Sequence, residues 1–297
     1  MCGLDRKGIV LLTTVGLILM LSLLILKSID VSQKYFERAN DRSLFVQLNR
    51  SFLDILAILQ KNSQNVKDAQ SLSTIVGLPI ILNTDSGDIN VMIEIASAGS
   101  VININNLILS NNDINEPLYN FLQNILYEYR VTNSNFFLSV LLDAIDKDKN
   151  ERTYASEAAL QSYKFSDGGI NSKESFSYLL DYFVANGGDA KIYNVPWEEI
   201  VGFFGKDIDF NYIKEPLFTL IKKEYNLHSL TQDEIISSYD ELAISASDKN
   251  KLRALNIGFF SPRIFCSMSF FYSGQTKLLN FLYDMETKKV DYIETIF

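Results

Sequence analysis

Oxygen-bearing side chains are concentrated in one short segment of this sequence, between Asp143 and Glu157. If Asp146 is taken as the first position of a calcium-binding loop, oxygen ligands fall at its first, third, fifth and twelfth positions. These residues are Asp146, Asp148, Asn150 and Glu157. Hard oxygen ligands at this spacing suit Ca²⁺, although the sixth position, which needs glycine for a sharp turn, is Glu151. The segment therefore predicts a calcium site, and the alternative is a solvated polar end of a helix.

Catalytic chemistry has little support in the sequence. His228 is the one histidine, which excludes zinc sites built from several histidines. No G-x-S-x-G elbow accompanies it, so we interpret His228 as a surface helix residue and expect the chain not to be an enzyme. The net charge is −9 and no basic block follows the N-terminal leader, which argues against direct binding of nucleic acid.

The residues at the N-terminus concern proteolytic cleavage of this chain rather than catalysis by it. Arg6, Lys7 and Gly8 stand directly before Ile9–Leu26, an uncharged apolar run. As a helix this run would extend roughly 27 Å, enough to cross a bilayer core, and its short basic flank would stay in the cytoplasm. Three interpretations fit it: an ordinary single-pass anchor, a prepilin-type leader cleaved between Gly8 and Ile9, or a secretory signal peptide.

The apolar run is followed by a helical pattern. Phe45, Leu48, Phe52, Leu56 and Leu59 recur at spacings of three and four, which places them on one face of a helix. We therefore predict one long helix from about Ile9 to about Asn62, apolar all round in its first half and amphipathic in its second half.

Of the two cysteines, Cys2 belongs to the leader, so the mature chain would lack an intramolecular disulfide.

Runs rich in isoleucine and valine then predict strands on both sides of a helical block. The predicted strands are Leu78–Leu82, Ile89–Ala96 and Val101–Leu107, read as a meander, and later Ala254–Phe260, Ile264–Tyr272, Leu278–Tyr283 and Val290–Phe297. Strands on both sides of the block most simply form one sheet. The sequence shows no apparent internal repeat.

Between these strands the pattern is helical. Helices are predicted from Pro117 through Leu126, and over Phe136–Ile145, Phe176–Phe183, Trp197–Phe204 and Ile235–Leu242. Two of them begin with capping-box patterns, Asn171 with Glu174 and Thr231 with Glu234. The block would be a helical domain inserted into a sheet.

The arrangement resembles the minor pseudopilin K family of type II secretion, within the type IV pilin-like superfamily. The leader ends in glycine, and Thr13 stands where most pilins carry a glutamate that this family typically lacks. Gly99–Leu107 (GSVININNL) resembles the family segment G-x-x-I/L-N-L/I/V-N-x-L. Leu142–Asp148 (LDAIDKD) resembles L-D-W-I/L-D-x-D, with Glu157 and Tyr163 near a following G-A-E…Y pattern, although the family tryptophan is Ala144 here.

The resemblance implies an α+β fold in which a long N-terminal transmembrane helix packs on an antiparallel sheet with a large all-α domain inserted between strands. The expected division is a leader at 1–8, a transmembrane helix at 9–26, its amphipathic continuation at 27–63, the first β part at 64–110, the helical insert at 111–250 and the closing strands at 251–297.

The resemblance also implies a role. Prepilin peptidase would cut between Gly8 and Ile9, the new N-terminus would be methylated, and the chain would sit at the tip of a pseudopilus and initiate its assembly. Its partners would be I-, J- and H-like minor pseudopilins, the major pseudopilin and the inner-membrane assembly platform. It would span the bacterial inner membrane once, with the N-terminus cytoplasmic and the larger domain periplasmic.

Three alternatives stay open at this point. The chain could be a generic single-pass inner-membrane protein with a periplasmic binding module, or a minor pilin of a type IV pilus or DNA-uptake machine. A membrane-anchored hydrolase is the third alternative, and the missing nucleophile and zinc signatures argue against it.

Overall fold

A computed structural model describes residues 45–77, 79–83, 89–161, 165, 168–205, 207–227, 231–232, 235–272 and 275–296, with a few helical positions between 20 and 42. The chain divides into two compact units, Met1–Leu59 and Gln60–Phe297. Within the described residues, no helix has the length and apolar character needed to cross a membrane. The run Ile9–Leu26 lies outside these residues except for Met20 and Leu26.

Residues 45–62 form helix α1, which confirms the helical pattern in this part of the chain. Its buried side chains, Leu48, Ile55 and Leu59, recur at spacings of seven and four. Phe45 and Leu53 are exposed although both are apolar.

The second unit alternates between strands and helices in the predicted order. After α1 its helices are α2 (Ala69–Leu72), α3 (Glu116–Glu128), α4 (Ser134–Ile145), α5 (Ala158–Gln161), α6 (Lys173–Ala185), α7 (Trp197–Ile200), α8 (Glu215–Glu224) and α9 (Ala246–Ala254). Its strands are β1 (Ile80–Asn83), β2 (Ile89–Ser97), β3 (Ile102–Asn103), β4 (Val201–Gly202), β5 (Ile208–Asp209), β6 (Ile257–Gly258), β7 (Arg263–Tyr272), β8 (Gln275–Asp284) and β9 (Lys289–Ile296).

Five of these strands form one antiparallel sheet in the order β1-β2-β7-β8-β9. The strands β2 and β7 are hydrogen-bonded neighbours although all the helices from α3 to α9 lie between them in the sequence. The prediction that strands on both sides of the helical block share one sheet is therefore confirmed.

One face of the sheet is buried, as the alternation of its residues requires. Across β2 and β7, Val91 stands opposite Phe270, Ile93 opposite Met268 and Ile95 opposite Cys266, and all six are buried. The same alternation continues into β8 through Leu279, Phe281 and Tyr283. Burial also raises the pKa of the Cys266 thiol to about 12, so this cysteine behaves as a small apolar side chain.

The helical insert has a contiguous hydrophobic core that runs from Ile102 to Phe259. α3 and α4 each contribute several of its aliphatic residues, such as Leu122 and Leu138. Aromatic rings add to it: Phe137 lies 5.2 Å from Phe183 and 5.7 Å from Trp197 between ring centroids. Such pairs stabilise a core beyond the area that they bury.

Four predicted elements differ from the structure. Of the predicted strand Ala254–Phe260, only Ile257–Gly258 is extended, because Ala254 still belongs to α9, and this short strand pairs with β5 outside the five-stranded sheet. Val101–Leu107 is not a third meander strand: only Ile102–Asn103 is extended, a 3₁₀ turn follows, and β2 pairs with β7 instead. The physical reason is local, because the Asn103 side chain accepts the N–H of Asn105 and so closes a turn.

The other two errors concern helices. Trp197–Phe204 forms one helical turn and then β4, which pairs in parallel with β3. Ile235–Leu242 forms turns rather than a helix. Here the side chain of Asn211 hydrogen-bonds both backbone groups of Ile236, which removes them from any helical ladder. At α6 the cap is Ser172, which accepts the Ser175 N–H, rather than Asn171.

The insert contains an internal repeat that the sequence analysis missed. In the first half, Asn105 donates to the carbonyls of Ile170 and Phe203 and accepts the N–H of Ile170. In the second half, Asn211 donates to the carbonyls of Ile236 and Phe259 and accepts the N–H of Ile236. Each asparagine thus hydrogen-bonds both backbone groups of one loop residue and the carbonyl of the residue directly after a short parallel strand.

The surrounding elements repeat as well. β3 pairs in parallel with β4, and β5 pairs in parallel with β6. The helices α3 and α8 both begin with Glu-Pro-Leu, and each ends at a tyrosine followed by a residue with positive φ. The sequence signals are short: Ile-Asn-Ile-Asn against Ile-Asp-Phe-Asn, and Val-Gly-Phe-Phe against Ile-Gly-Phe-Phe.

The buried side chain of Asp209 marks the junction between sheet and insert. Its Oδ2 accepts the hydroxyl of Ser97, at the end of β2, and the N–H of Ser261, just before β7. Its Oδ1 accepts the N–H of Asn211. In the first half of the insert Asn103 occupies the same position and donates to the carbonyl of Gly205. The carboxylate suits the second position because its partners there are donors.

Gly99 lies against the same junction, and its backbone carbonyl accepts the N–H of Asp209. A Cβ atom at position 99 would lie 2.6 Å from the Asp209 backbone nitrogen and 2.8 Å from the Asp207 carbonyl oxygen. Since both are backbone atoms, Gly99→Ala should destabilise the fold by about 1–3 kcal/mol, measured by urea unfolding. The matched control is Gly258→Ala, whose Cβ would meet nothing closer than 4.0 Å and should be neutral or slightly stabilising. Equal losses in both variants would contradict this reading.

Asp209 should also make stability depend on pH. Burial raises its pKa above the ordinary value of 3.8, against the lowering by its hydrogen bonds to Ser261, Asn211 and Ser97. The pKa of this carboxyl is about 3.8 in the unfolded chain and higher in the folded chain, so the folded chain binds the proton more tightly. Its contribution to the free energy of unfolding is therefore fully present below about pH 3.8 and is lost as the pH rises through the folded pKa. Asp209→Ala should cost roughly 2–4 kcal/mol through its stranded donors, and more near pH 3.5 than at pH 7. The exposed Asp240→Ala should show no such trend in the same unfolding series. A cost that grows with pH would contradict the prediction.

Candidate functional site

The predicted ligand segment begins at the end of α4. Asp143 lies in the last turn of this helix on its buried side, and Asp146 follows as the residue that ends it, in an extended conformation. The chain then turns through exposed residues and returns at Arg152, before Ser156 and Glu157 lead into α5. Asp143 and Asp146 thus remain side by side at the base of the loop.

Arg152 lies between the two carboxylates. Its Nη1 donates to both Asp143 Oδ1 and Asp146 Oδ2. The carboxylate side chains are 0% and 3% exposed, whereas the arginine side chain is 29% exposed. A buried pair of this kind depends on both partners, because removing one leaves an uncompensated buried charge.

Backbone and hydroxyl groups complete the cluster. The N–H of Arg152 donates to Asp143 Oδ2 over 3.1 Å, and the Ser156 hydroxyl also lies within hydrogen-bond distance of that oxygen. Ser156 accepts the N–H of Thr153 over 2.9 Å. Asp143 therefore holds both Arg152 and Ser156 of the returning chain at the end of α4, and Asp146 adds a second contact to Arg152.

Burial and the contacts between Arg152 and the two carboxylates together set the pKa values in the cluster. Burial raises the pKa of Asp146, and the hydrogen bond and charge of Arg152 oppose that rise without cancelling it. Burial alone would lower the pKa of the Arg152 guanidinium, but its hydrogen bonds to Asp146 and Asp143 raise it. The raised pKa of Asp146 follows from poor solvation of its charge, whereas the raised pKa of Arg152 follows from its carboxylate partners.

The predicted calcium ligands are not brought together. Asp148 and Asn150 are exposed, and Asp148 Oδ1 accepts the backbone N–H of Asn150. Glu157 is buried, and its Oε1 accepts the N–H of Ala159 at 3.4 Å. Throughout the described part of the chain, no three His, Cys, Asp or Glu side chains are grouped as a metal site requires. The residues as placed therefore do not fit the calcium loop that their spacing suggests.

A surface groove of about 360 Å³ lies beside α6 and α7. Phe176, Leu180, Trp197 and Phe203 are among its lining residues. Two ion pairs lie at its charged rim, Lys173 with Glu198 at 3.2 Å and Lys214 with Glu199 at 3.1 Å. The groove therefore presents mainly apolar and aromatic surface.

Other predicted site residues lie outside the described part of the chain. They are the processing positions Gly8 and Ile9, the filament position Thr13, and His228. The predictions for these residues stay predictions.

Comparison with known proteins gives a match by structure. No protein-family model matches this sequence, and no curated protein matches it either. The structure is similar to a chain in the crystal structure of the GspK–GspI–GspJ complex from the type 2 secretion system of enterotoxigenic Escherichia coli. The TM-score is 0.60 at 14% sequence identity, covering 86% of this chain and 99% of that chain.

The chain has a GspK-like fold. The resemblance to minor pseudopilin K that the sequence indicates is thus confirmed at the level of the fold. The family-like segments have clear places in it. Gly99–Leu107 carries the junction glycine and the repeated asparagine, and Leu142–Asp148 carries the two carboxylates that contact Arg152.

Sequence reasoning missed the residues that hold the acidic loop together. Arg152 lies inside the predicted calcium loop, and the spacing of the oxygen ligands does not show that it is the partner of Asp143 and Asp146. A cation within a run of predicted oxygen ligands was the available signal, because buried carboxylates require a partner charge. Nothing in the local pattern marked Ser156, whose role depends on the return of the chain to α4.

Ser156 provides a test of this cluster. Ser156→Ala should destabilise the fold by about 1–3 kcal/mol, because the buried carboxylate of Asp143 loses a hydrogen-bond donor and the Thr153 N–H loses its acceptor. Ser177→Ala, at an exposed position of α6, is the matched control and should stay within about 0.5 kcal/mol of the parent in urea unfolding. A neutral Ser156→Ala would show that the loop is held elsewhere.

Proposed function

We infer that this chain is a minor pseudopilin at the tip of a type II secretion pseudopilus or a closely related filament. The observation that carries the proposal is the helical insert between two neighbouring strands of one antiparallel sheet. This arrangement is similar over nearly the whole length of a chain in a GspK–GspI–GspJ complex. The arrangement agrees with the prepilin-type leader predicted from the sequence.

The proposed mechanism is mechanical rather than chemical. Subunits of such filaments bury their apolar N-terminal helices against one another, and a glutamate near the N-terminus of most subunits pairs with the terminal amine of a neighbour. Since an unpaired charge in lipid is costly, that pair favours the addition of each subunit. Thr13 has no charge to offer a subunit above it, while the amine of Ile9 remains available to a subunit below.

The same reasoning suggests a tip position. The insert would add bulk to the head of the subunit and obstruct stacking above it. Cleavage between Gly8 and Ile9 by prepilin peptidase, followed by methylation, would prepare the N-terminus for this role. The partners would be the I-, J- and H-like minor pseudopilins, the major pseudopilin and the assembly platform in the inner membrane, with the head in the periplasm.

The mature N-terminus tests the proposal directly. Mass spectrometry of the chain from bacterial membranes should find a polypeptide that starts at Ile9. A Gly8→Val variant, which places a branched side chain at the cleavage position, should instead retain Met1. A wild-type chain that still starts at Met1, or is cut after Ser28, would overturn the prepilin interpretation and favour a generic anchored module or a secreted protein.

A second experiment separates secretion from DNA uptake. Deletion of the gene should abolish export of secreted proteins while natural transformation continues. Complementation with the wild-type chain should restore export, and complementation with Gly8→Val should not. Loss of transformation with normal export would favour a minor pilin of a DNA-uptake machine.

A further inference from the structure

We propose that Arg152 supplies, from within the chain, the positive charge for which the acidic loop after α4 would otherwise need a metal ion, so that the loop folds without calcium. The proposal concerns the loop from Asp146 to Glu157. It is independent of the proposed function, since it makes a statement about how this domain is held together and not about what it assembles with.

The position of the guanidinium is the first argument. One nitrogen, Nη1, contacts an oxygen of Asp143 and an oxygen of Asp146. This nitrogen stands at the point where the two carboxylates face each other, which is where a shared cation would have to lie. Both carboxylate side chains are almost fully buried, so they require a positive partner there.

The anchoring of Arg152 is the second argument. Its backbone N–H donates to Asp143 Oδ2 while its side chain neutralises Asp143 Oδ1. The same residue therefore fixes the path of the returning chain and supplies its charge. In a calcium loop the ion does this work by drawing separate ligands to one point.

The remaining predicted ligands give the third argument. Asp148 Oδ1 is engaged with the N–H of Asn150, and both side chains are exposed. Lys147 and Lys149 are also exposed in the same turn, and their positive charges oppose the approach of a divalent cation. Asp146 Oδ1, by contrast, is buried without a hydrogen-bond partner among the described residues. Removing the guanidinium would leave Asp143 Oδ1 and Asp146 Oδ2 without their cation. Together with Asp146 Oδ1 these oxygens could bind a metal ion.

The test uses the full chain in detergent and follows its thermal unfolding by near-UV circular dichroism in millimolar CaCl₂ or in EDTA. The wild-type midpoint should be the same in both. Arg152→Met keeps much of the aliphatic stem and removes the charge, so its midpoint in EDTA should fall by roughly 6–20 °C. CaCl₂ should then raise the midpoint of this variant, because Ca²⁺ takes the vacated cation position.

The matched control is Lys149→Met, which removes one positive charge from the exposed part of the same loop and should change the midpoint by no more than about 2 °C. A wild-type midpoint that rises in CaCl₂ would overturn the proposal. An Arg152→Met midpoint equal to that of the control, or a folded Arg152→Met variant that ignores CaCl₂, would do so as well.

Arg152→Met could fail to fold in both buffers, and a further variant covers that case. The triple variant Asp143→Asn, Asp146→Asn, Arg152→Met removes the carboxylate charges together with the guanidinium. It should fold, and its midpoint should not respond to CaCl₂. A calcium response in the triple variant, or its failure to fold, would count against charge compensation as the role of Arg152.

Discussion

The carboxylate of Asp209 joins the two chain segments that connect the sheet to the helical insert. β2 leaves the sheet at Ser97 and β7 re-enters it after Ser261, and both residues donate to the same oxygen. Because β2 and β7 are adjacent and antiparallel, the insert must begin and end at the same end of these two strands. A buried carboxylate with donors from both connections meets that constraint, and it holds the start of the second half of the insert through Asn211.

The two halves of the insert share one arrangement of side-chain hydrogen bonds. An asparagine that accepts one N–H and donates to two carbonyls can fix three backbone groups that belong to no helix or sheet. Asn105 and Asn211 both do so, each between a distant loop and the residue after a short parallel strand. Long-range order in this domain therefore depends on two half-buried asparagine amides as well as on its apolar core.

Local patterns predicted the larger part of the fold. The strands of the sheet, the helices α3, α4 and α6, and the insertion itself follow from periodicity, prolines and the order of elements. The errors in the predicted helices fall where a side chain far away in sequence takes the backbone groups, as Asn211 does at Ile236 and Asn105 does at Phe203. The acidic loop is a similar case. The spacing of its oxygens is local information, but the role of Arg152 depends on how the chain returns to α4.

The insertion has a consequence for the order in which the protein acquires its structure. Ser97 and Ile264 are partners in the sheet, yet the whole insert separates them along the chain. Closing so long a loop before it is structured is entropically unfavourable and slows folding. Once the insert has folded around its own core, the contacts of Asp209 with Ser97 and Ser261 hold its two ends close together. The remaining entropic cost of pairing β2 with β7 is then small. Until then β2, with Val91, Ile93 and Ile95, lacks its central partner, and the chain is most exposed to misassociation in that interval.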